Sequence, residues 1–315
     1  MATDVRTIAF TKIIKEKLFA GSEFVLKSLS HDAFVNDITV EIPISGTLPD
    51  IVENRTSYPI AVTTRTDTKQ TYDLIEFSLG VIKVSEKEQK ELSYDKSASI
   101  MKQHIDKLND RIALRAAYNL GGAGLLSTGA GNIVLTTGTA SASIAPPGSV
   151  GTLSPKGLML VDMANAAKKL DKDNLPREGR YCLMPSDMYW DFVEINKAQL
   201  LDIDFNKNLS NGDISDGVVA KVYGFNIMLR PHTLLYANAA TPTIKAVGAV
   251  AAATDVWAAI CWHQNEVSRA KGTPKVYSEI GSPTYQGNLY SATQRFNNSQ
   301  MRTDGTGIVT IVQDT

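Results

Sequence analysis

The stretch from 168 to 193 constrains the fold most strongly, because it places a helix end, a strand and a new helix close together. Pro176 ends the periodic run before it, since proline lacks an amide donor and biases its predecessor away from the α region. The mostly apolar residues 180–184 then predict a short strand. Residues 185–187, Pro-Ser-Asp, are a favourable opening for the next helix.

The surrounding sequence predicts one compact α/β region. It begins with a helix at 156–170 and continues to strands near 218–229 and 256–262. The run DVWAAICWH is nearly continuous in apolar residues, which is typical of a strand covered on both faces. Cys182 and Cys261 both lie in apolar strand-like runs, so we expect reduced thiols that pack as small hydrophobic groups.

A strand with alternating apolar residues precedes a long polar segment nearer the N-terminus. Isoleucine or valine occupies every second position from 38 to 44, and turn-forming residues follow at 46–50, which predicts a hairpin. The returning segment, 55–71, is polar on both faces from Thr63 onward and has almost no core of its own. An isolated two-stranded ribbon is marginal in water and exposes unpaired edge amides. We therefore predict an arm that lies across another subunit; a flexible surface loop is the alternative.

The longest helical pattern runs from 93 to 120, with apolar residues three or four apart along one stripe. The glycines at 121, 122 and 124 are expected to end it. At about 1.5 Å per residue, such a helix is about 40 Å long and can brace a whole subunit. A tract rich in Gly, Ser, Thr and Ala at 129–154 predicts a domain junction. Alternating strands at 276–312 then complete the first region at the end of the chain.

The first twenty residues predict a short amphipathic helix. Lysines and a glutamate separate its apolar positions. It is expected to serve as an arm. A helix packed on its own domain and a helix on a membrane surface are the alternatives.

Composition and motifs argue against a nucleic-acid reader and against an enzyme. The 32 basic and 33 acidic residues give no electrostatic footprint for sequence-specific nucleic-acid binding. The glycine-rich stretch near 121–132 has no Gly-Lys pair for a phosphate-binding loop, and the four histidines have no second ligand at metal spacing. No apolar run approaches the ~20 residues of a membrane span. We therefore expect no catalytic residues, no cofactor, no metal site and no membrane partner.

Four stretches of the chain resemble one known family. The 168–193 stretch resembles the "LDE.NVP..GRY.VL.P..Y..L" segment of tailed-bacteriophage major capsid proteins, which have the Hong Kong 97-type shell fold. The 94–120 stretch resembles their spine helix, VYGFNIMLRPH resembles one of their strands, and AAICWHQNEV with the sequence after it resembles their closing strands.

The resemblance implies an α+β, Hong Kong 97-like capsid fold with an N-terminal arm, an extended β-hairpin loop, a long spine helix, a peripheral domain and an axial domain. The implied limits are 1–37 for the N-terminal arm, 38–84 for the extended loop, 85–152 for the peripheral domain with the spine helix, 153–274 for the axial domain and 275–315 for the closing strands of the peripheral domain.

The function implied by the resemblance is that of a major capsid protein, which self-assembles into the icosahedral head of a tailed bacteriophage. Hexamers and pentamers of the chain would enclose double-stranded DNA without sequence-specific binding. A separate scaffolding protein, a portal and decoration or head-completion proteins are the implied partners. The implied location is the virion, with assembly in the cytoplasm of the bacterial host. The alternatives are an encapsulin-like shell of a cellular compartment and, in a different class, an α/β enzyme.

Four residues of the extended loop are the predicted inter-subunit contacts. Tyr58 is one, and the charged residues Arg65, Asp67 and Lys69 are the others. The three charges are expected to set the register of the contact by electrostatic complementarity.

Overall fold

The computed structural model describes residues 21–34, 39–46, 51–56, 58–59, 62, 64–85, 96–125, 132–146, 153–196, 218–231, 233–239 and 242–315. The helix predicted within the first twenty residues lies outside these ranges. The described α-helices are α1 (Lys96–Leu125), α2 (Leu160–Lys172) and α3 (Ser186–Ile195). Short 3-10 turns occupy Glu23–Leu26, Asp32–Phe34, Ala142–Ile144 and Gln264–Glu266.

The strands are β1 (Leu29–Ser30), β2 (Thr39–Ile44), β3 (Thr68–Asp73), β4 (Ile75–Ser78), β5 (Ile82–Ser85), β6 (Ile133–Leu135), β7 (Arg180–Pro185), β8 (Val218–Val222), β9 (Phe225–Arg230), β10 (Leu235–Ala237), β11 (Thr243–Ile244), β12 (Asp255–His263), β13 (Val267–Lys271), β14 (Lys275–Ser282), β15 (Gly287–Gln300) and β16 (Ile308–Val312). They form an eight-stranded sheet, a six-stranded sheet and a two-stranded hairpin. Helices and strands are mixed, as the predicted α+β class requires.

The eight-stranded sheet lies between helices on both faces. Its order is β11-β10-β12-β7-β9-β8, and β16 pairs with both β12 and β6. Helix α1 packs on one face, while α2 and α3 pack on the other. Every residue of β12 is buried, and neighbouring positions such as Ile260 and Cys261 belong to the cores on opposite faces. The prediction of a strand covered on both faces is therefore confirmed.

The six-stranded sheet is built around β15. Strands β4 and β5 pair with one side of β15, and β13 and β14 pair with the other. Strand β1 adds to β13 in parallel. Strands from both ends of the chain therefore meet here, as predicted. Strand β16 is the exception, because it returns to the eight-stranded sheet and does not complete the first region.

One boundary prediction is wrong for a physical reason. Helix α1 continues through its glycines to Leu125. An added Cβ at Gly121 would overlap the Tyr236 hydroxyl, so this glycine allows close packing and does not end the helix. The 129–154 tract contains β6, which pairs with β16, and the buried Ile144, while the domain junction there stays a prediction.

The chain segment before β1 is attached to the core by side chains from distant strands. The Arg230 guanidinium donates to the Gly21 carbonyl at 2.9 Å and pairs with Asp110 of α1. The Trp262 indole donates to the Lys27 carbonyl at 2.8 Å, and its ring meets Phe24 edge-on at 6.3 Å. Residues 21–30, the described beginning of the chain, are therefore part of the folded body.

The turn between α2 and β7 is held by Arg180, which is buried. Its guanidinium donates to the carbonyls of Leu175 at 2.8 Å and Pro176 at 2.9 Å, and pairs with Asp171 at 2.7 Å. These bonds satisfy backbone groups left free where the helix ends. The bond from Arg180 is the main cause that lowers the pKa of Asp171. The predicted helix, turn and strand are confirmed, and Arg180 explains why the turn is so compact.

Replacing Arg180 is expected to destabilise the unassembled subunit. Arg180→Met keeps much of the apolar volume but removes the buried guanidinium that bonds Leu175, Pro176 and Asp171, so we expect the free energy of unfolding in urea to fall by about 3 kcal/mol. Arg177→Ala is the matched control, because Arg177 also contacts Asp171 but its side chain is 79% exposed. That variant should stay within about 0.5 kcal/mol of the wild type. Equal losses in the two variants would contradict the assignment.

Candidate inter-subunit surface

The base of the extended loop is anchored on its own subunit. Strands β2 and β3 pair antiparallel, with Val40 opposite Tyr72. Val40, Ile42 and Tyr72 are buried in a small core with Ala270 of β13. The predicted strand with alternating apolar residues is confirmed. Strand β3 begins only at Thr68, however, so the described residues between 55 and 67 lie outside the paired ribbon.

Beyond the paired strands, the two sides of the loop remain close at Gly46. The Gly46 amide donates to an Asp67 carboxylate oxygen at 2.9 Å, and an added Cβ on Gly46 would overlap the Thr66 carbonyl. Arg65 pairs with the same carboxylate, with 2.6 Å between Nε and Oδ1. The bond from Arg65 and then that from Gly46 lower the pKa of Asp67, and the bond to Asp67 raises the pKa of Arg65.

The charged residues predicted to face a neighbouring subunit have partners within the loop. Arg65 and Asp67 pair with each other, and the Lys69 ammonium lies 2.6 Å from the Glu41 carboxylate. All four side chains are about half exposed or more, so solvent screens each pair and each contributes little to stability. These pairs shape the loop, and a contact role for the three predicted charges stays a prediction.

Four apolar residues of the extended loop are exposed. The fourth predicted contact, Tyr58, is 73% exposed. Ile51 is 94% exposed, Val62 is 95% exposed and Val52 is half exposed. The prediction did not include these three aliphatic residues. The signal in the sequence was Ile51 and Val52 directly after Pro49-Asp50, where a solvent-facing turn ordinarily carries polar residues.

A second exposed surface lies on strand β14. Its residues 275–281 are exposed on both faces, and they include Val276, Tyr277 and Ile280. Tyr285, in the turn that follows, is half exposed. The sequence predicted alternating strands in this part of the chain, and alternation alone did not identify a strand with two exposed faces.

The buried cysteines and histidines of the described residues are not gathered into a metal site. No group of three or more His, Cys, Asp or Glu side chains in these ranges could hold a metal ion. Cys182 and Cys261 face each other across β7 and β12 as free thiols, with 3.2 Å between the sulfur atoms. Burial raises the pKa of the Cys261 thiol, which keeps it protonated and unreactive. Burial also lowers the pKa values of His104 and His263.

None of the described helices combines the length and the apolar character needed to cross a bilayer.

Comparison with solved structures identifies the fold. The chain is similar to the capsid protein of cyanophage P-SCSP1u, with 16% identity, a TM-score of 0.67, and coverage of 96% of this chain and 91% of that one. The capsid protein of cyanophage Pam1 gives 9% identity, a TM-score of 0.64, and coverage of 96% and 94%. The head structure of Helicobacter pylori bacteriophage KHP40 gives 9% identity, a TM-score of 0.63, and coverage of 96% of this chain and 93% of that one. No protein-family model and no curated protein sequence matches the chain.

The chain therefore has the shell fold of bacteriophage capsid proteins over nearly its whole length. This confirms the Hong Kong 97-type fold that the resemblance implied. The domain limits implied with it stay predictions.

Replacing Gly46 is expected to open the extended loop without unfolding its base. In Gly46→Ala, the new methyl group forces the backbone away from Thr66, while the small core at Val40 and Tyr72 remains packed. We expect faster hydrogen exchange at the amide of residue 46, because its bond to the Asp67 carboxylate is lost, and an unchanged unfolding midpoint. Gly80→Ala is the control, because nothing lies within 4 Å of the added atom. Unchanged exchange in Gly46→Ala would contradict the close approach.

The Arg65–Asp67 pair is expected to have a defined dependence on pH. The pKa of Asp67 in the folded protein lies below its ordinary value of 3.8, so the ionised carboxylate stabilises the loop fully above pH 3.8. This stabilisation is lost as the pH falls through the lowered pKa of the folded protein. A titration of the Asp67 carboxyl signal by NMR should show a lowered midpoint in the wild type and a midpoint nearer 3.8 in Arg65→Ala. Coincident midpoints would contradict the pairing.

Proposed function

We propose that this chain is the major capsid protein of a tailed bacteriophage and that it self-assembles into the icosahedral head. The observation that carries the proposal is the fold, which matches capsid proteins over nearly the whole length of both chains. In this role the chain acts mechanically and catalyses no reaction. Its nearly balanced charge is consistent with enclosing double-stranded DNA without sequence-specific binding.

The extended loop supports this role because it presents apolar side chains that its own subunit does not cover. Ile51, Val52 and Val62 project from a loop whose base is fixed at Val40 and Tyr72. Burying an aliphatic side chain against a neighbour contributes about 1.5–3 kcal/mol, and each subunit repeats the contact around the shell. Many modest contacts therefore stabilise one closed particle.

The further parts of the proposal concern partners and location. Subunits are proposed to form hexamers and pentamers, with a separate scaffolding protein, a portal and decoration or head-completion proteins. The particle is proposed to assemble in the bacterial cytoplasm and to remain as the virion shell. The proposed domain limits are those of the resemblance, with the extended loop at 38–84. No observation favours an encapsulin-like cellular compartment over this function.

The proposed role of the loop is tested with the triple variant Ile51→Ser, Val52→Ser, Val62→Ser. These side chains are exposed, so the free energy of unfolding of the subunit should change by no more than about 0.5 kcal/mol per site. Closed particles, counted by negative-stain microscopy after coexpression with the neighbouring head genes, should be lost.

The matched control for the triple variant is Val250→Ser. Val250 is 87% exposed but lies outside the extended loop. This control should assemble like the wild type. Normal shells from the triple variant would refute the loop contact. Wild-type particles that copurify with an enzyme and need no scaffold would favour the cellular compartment instead.

A further inference from the structure

Strand β14 forms an open edge of the six-stranded sheet. On the same side of β15, the neighbouring strand β13 is covered by β1. No strand of the described chain covers the outer edge of β14, which pairs only with β15. An open edge presents free amide and carbonyl groups to any extended segment that can pair with them.

This edge has only part of the protection that exposed strands usually carry. Proteins block edges with prolines, charged side chains, β-bulges, very short strands or covering loops. Strand β14 is eight residues long and contains no proline. It instead exposes Val276, Tyr277 and Ile280. A register irregularity between Glu279 and Ser282 limits regular pairing to its first five residues.

The charges of β14 are symmetric about Tyr277. Lys275 lies two residues before it and Glu279 two residues after it. Neither charge forms an ion pair with the described part of its own chain. All three side chains point to one face of the strand, because alternate residues share a face. The strand is therefore complementary in charge to an antiparallel copy of itself.

We propose that β14 pairs antiparallel with β14 of a second copy, about a two-fold axis at Tyr277. Each Lys275 then lies opposite Glu279 of the second copy, and the two Tyr277 side chains lie opposite each other. An interface of this kind is isologous, since both subunits contribute the same surface. The pairing joins two six-stranded sheets into one continuous sheet across the subunit boundary.

The charges select this register and direction. Moving the axis by one residue in either direction places neither lysine opposite a glutamate. In-register parallel pairing places Lys275 opposite Lys275, and like charges directly opposite are destabilising. The extended loop of another subunit is the competing occupant of this edge. Its charges near β2 and β3 are already paired within the loop, so they are less able to match Lys275 and Glu279.

A cysteine scan of assembled particles tests the axis. Residues directly opposite in antiparallel strands have Cα atoms about 4.5–5.5 Å apart, within the reach of a disulfide. Tyr277→Cys should therefore give disulfide-linked dimers on a non-reducing gel after mild oxidation. Ser278→Cys is the matched control on the same exposed strand. It faces Val276 of the second copy, and its own copy lies about 7–8 Å away on the diagonal, so it should stay monomeric.

The double variant Val276→Cys, Ser278→Cys should restore the cross-link. In the proposed register, each new cysteine faces the other across the axis. The native thiols do not interfere, because Cys182 and Cys261 are fully buried. Closed particles of Tyr277→Cys without any dimer would overturn the proposal and would assign the edge to another occupant, such as the extended loop.

Charge reversal tests the register independently. Lys275→Glu and Glu279→Lys each place like charges opposite each other, so we expect about tenfold fewer closed particles from each. The double variant Lys275→Glu, Glu279→Lys restores opposite charges and should recover the wild-type yield. Circular dichroism of each unassembled variant shows that the subunit still folds. A double variant that assembles no better than the single ones would overturn the register.

This inference rests on the proposed self-assembly, and different experimental results would refute the inference and the proposed function. If the wild-type chain with its head genes forms no shell, the proposed function is wrong before any variant is made. If wild-type shells form and the cysteine or charge pattern is absent, only the β14 contact is wrong.

Discussion

Burial of strand β12 on both faces is the constraint on which the rest of the structure depends. A strand with no polar face requires a helix layer on each side and hydrogen-bonded neighbours along both edges. Helix α1 supplies one layer, and α2 with α3 supplies the other. Strand β16 pairs along one edge of β12, while β7 and β10 share the other. Residues distant in sequence must therefore pack around β12 before water is excluded from the core.

The second sheet depends on the first through the chain that leaves β12. Strand β12 continues through a short turn into β13, which pairs with β15, and β15 then supports β4, β5 and β14. Ala270 of β13 in turn completes the small core under the extended loop. The loop and the β14 edge are thus held at defined positions by a rigid body. Preorganisation of this kind lowers the entropy that is lost when a neighbouring subunit binds.

The sequence identifies those parts of the fold whose cause is local. The proline at 176 and the apolar run of β12 act within a few residues, so the helix end, the β7 strand and the doubly covered strand were predictable. Gly121 was misinterpreted because its reason is a contact with Tyr236, more than a hundred residues away. The partners of Asp67 and Lys69 across the loop were missed for the same reason, since Gly46 and Glu41 lie on its other side. Exposure of Ile51 and Val62 is likewise a property of the folded chain.

In the proposed assembly, charges and apolar groups have separate roles. Arg65 pairs with Asp67 and Lys69 with Glu41 within the loop, so these charges shape it, while Ile51, Val52 and Val62 remain exposed. Strand β14 has the opposite arrangement, because its two charges lack partners in the described chain and an antiparallel copy supplies both. In the proposed assembly, the extended loop contributes apolar burial, which does not fix a direction. Strand β14 contributes a strand register, which does fix the direction of the contact. A closed shell requires both, since burial alone does not fix the angle between neighbours and edge pairing alone is too weak to hold them.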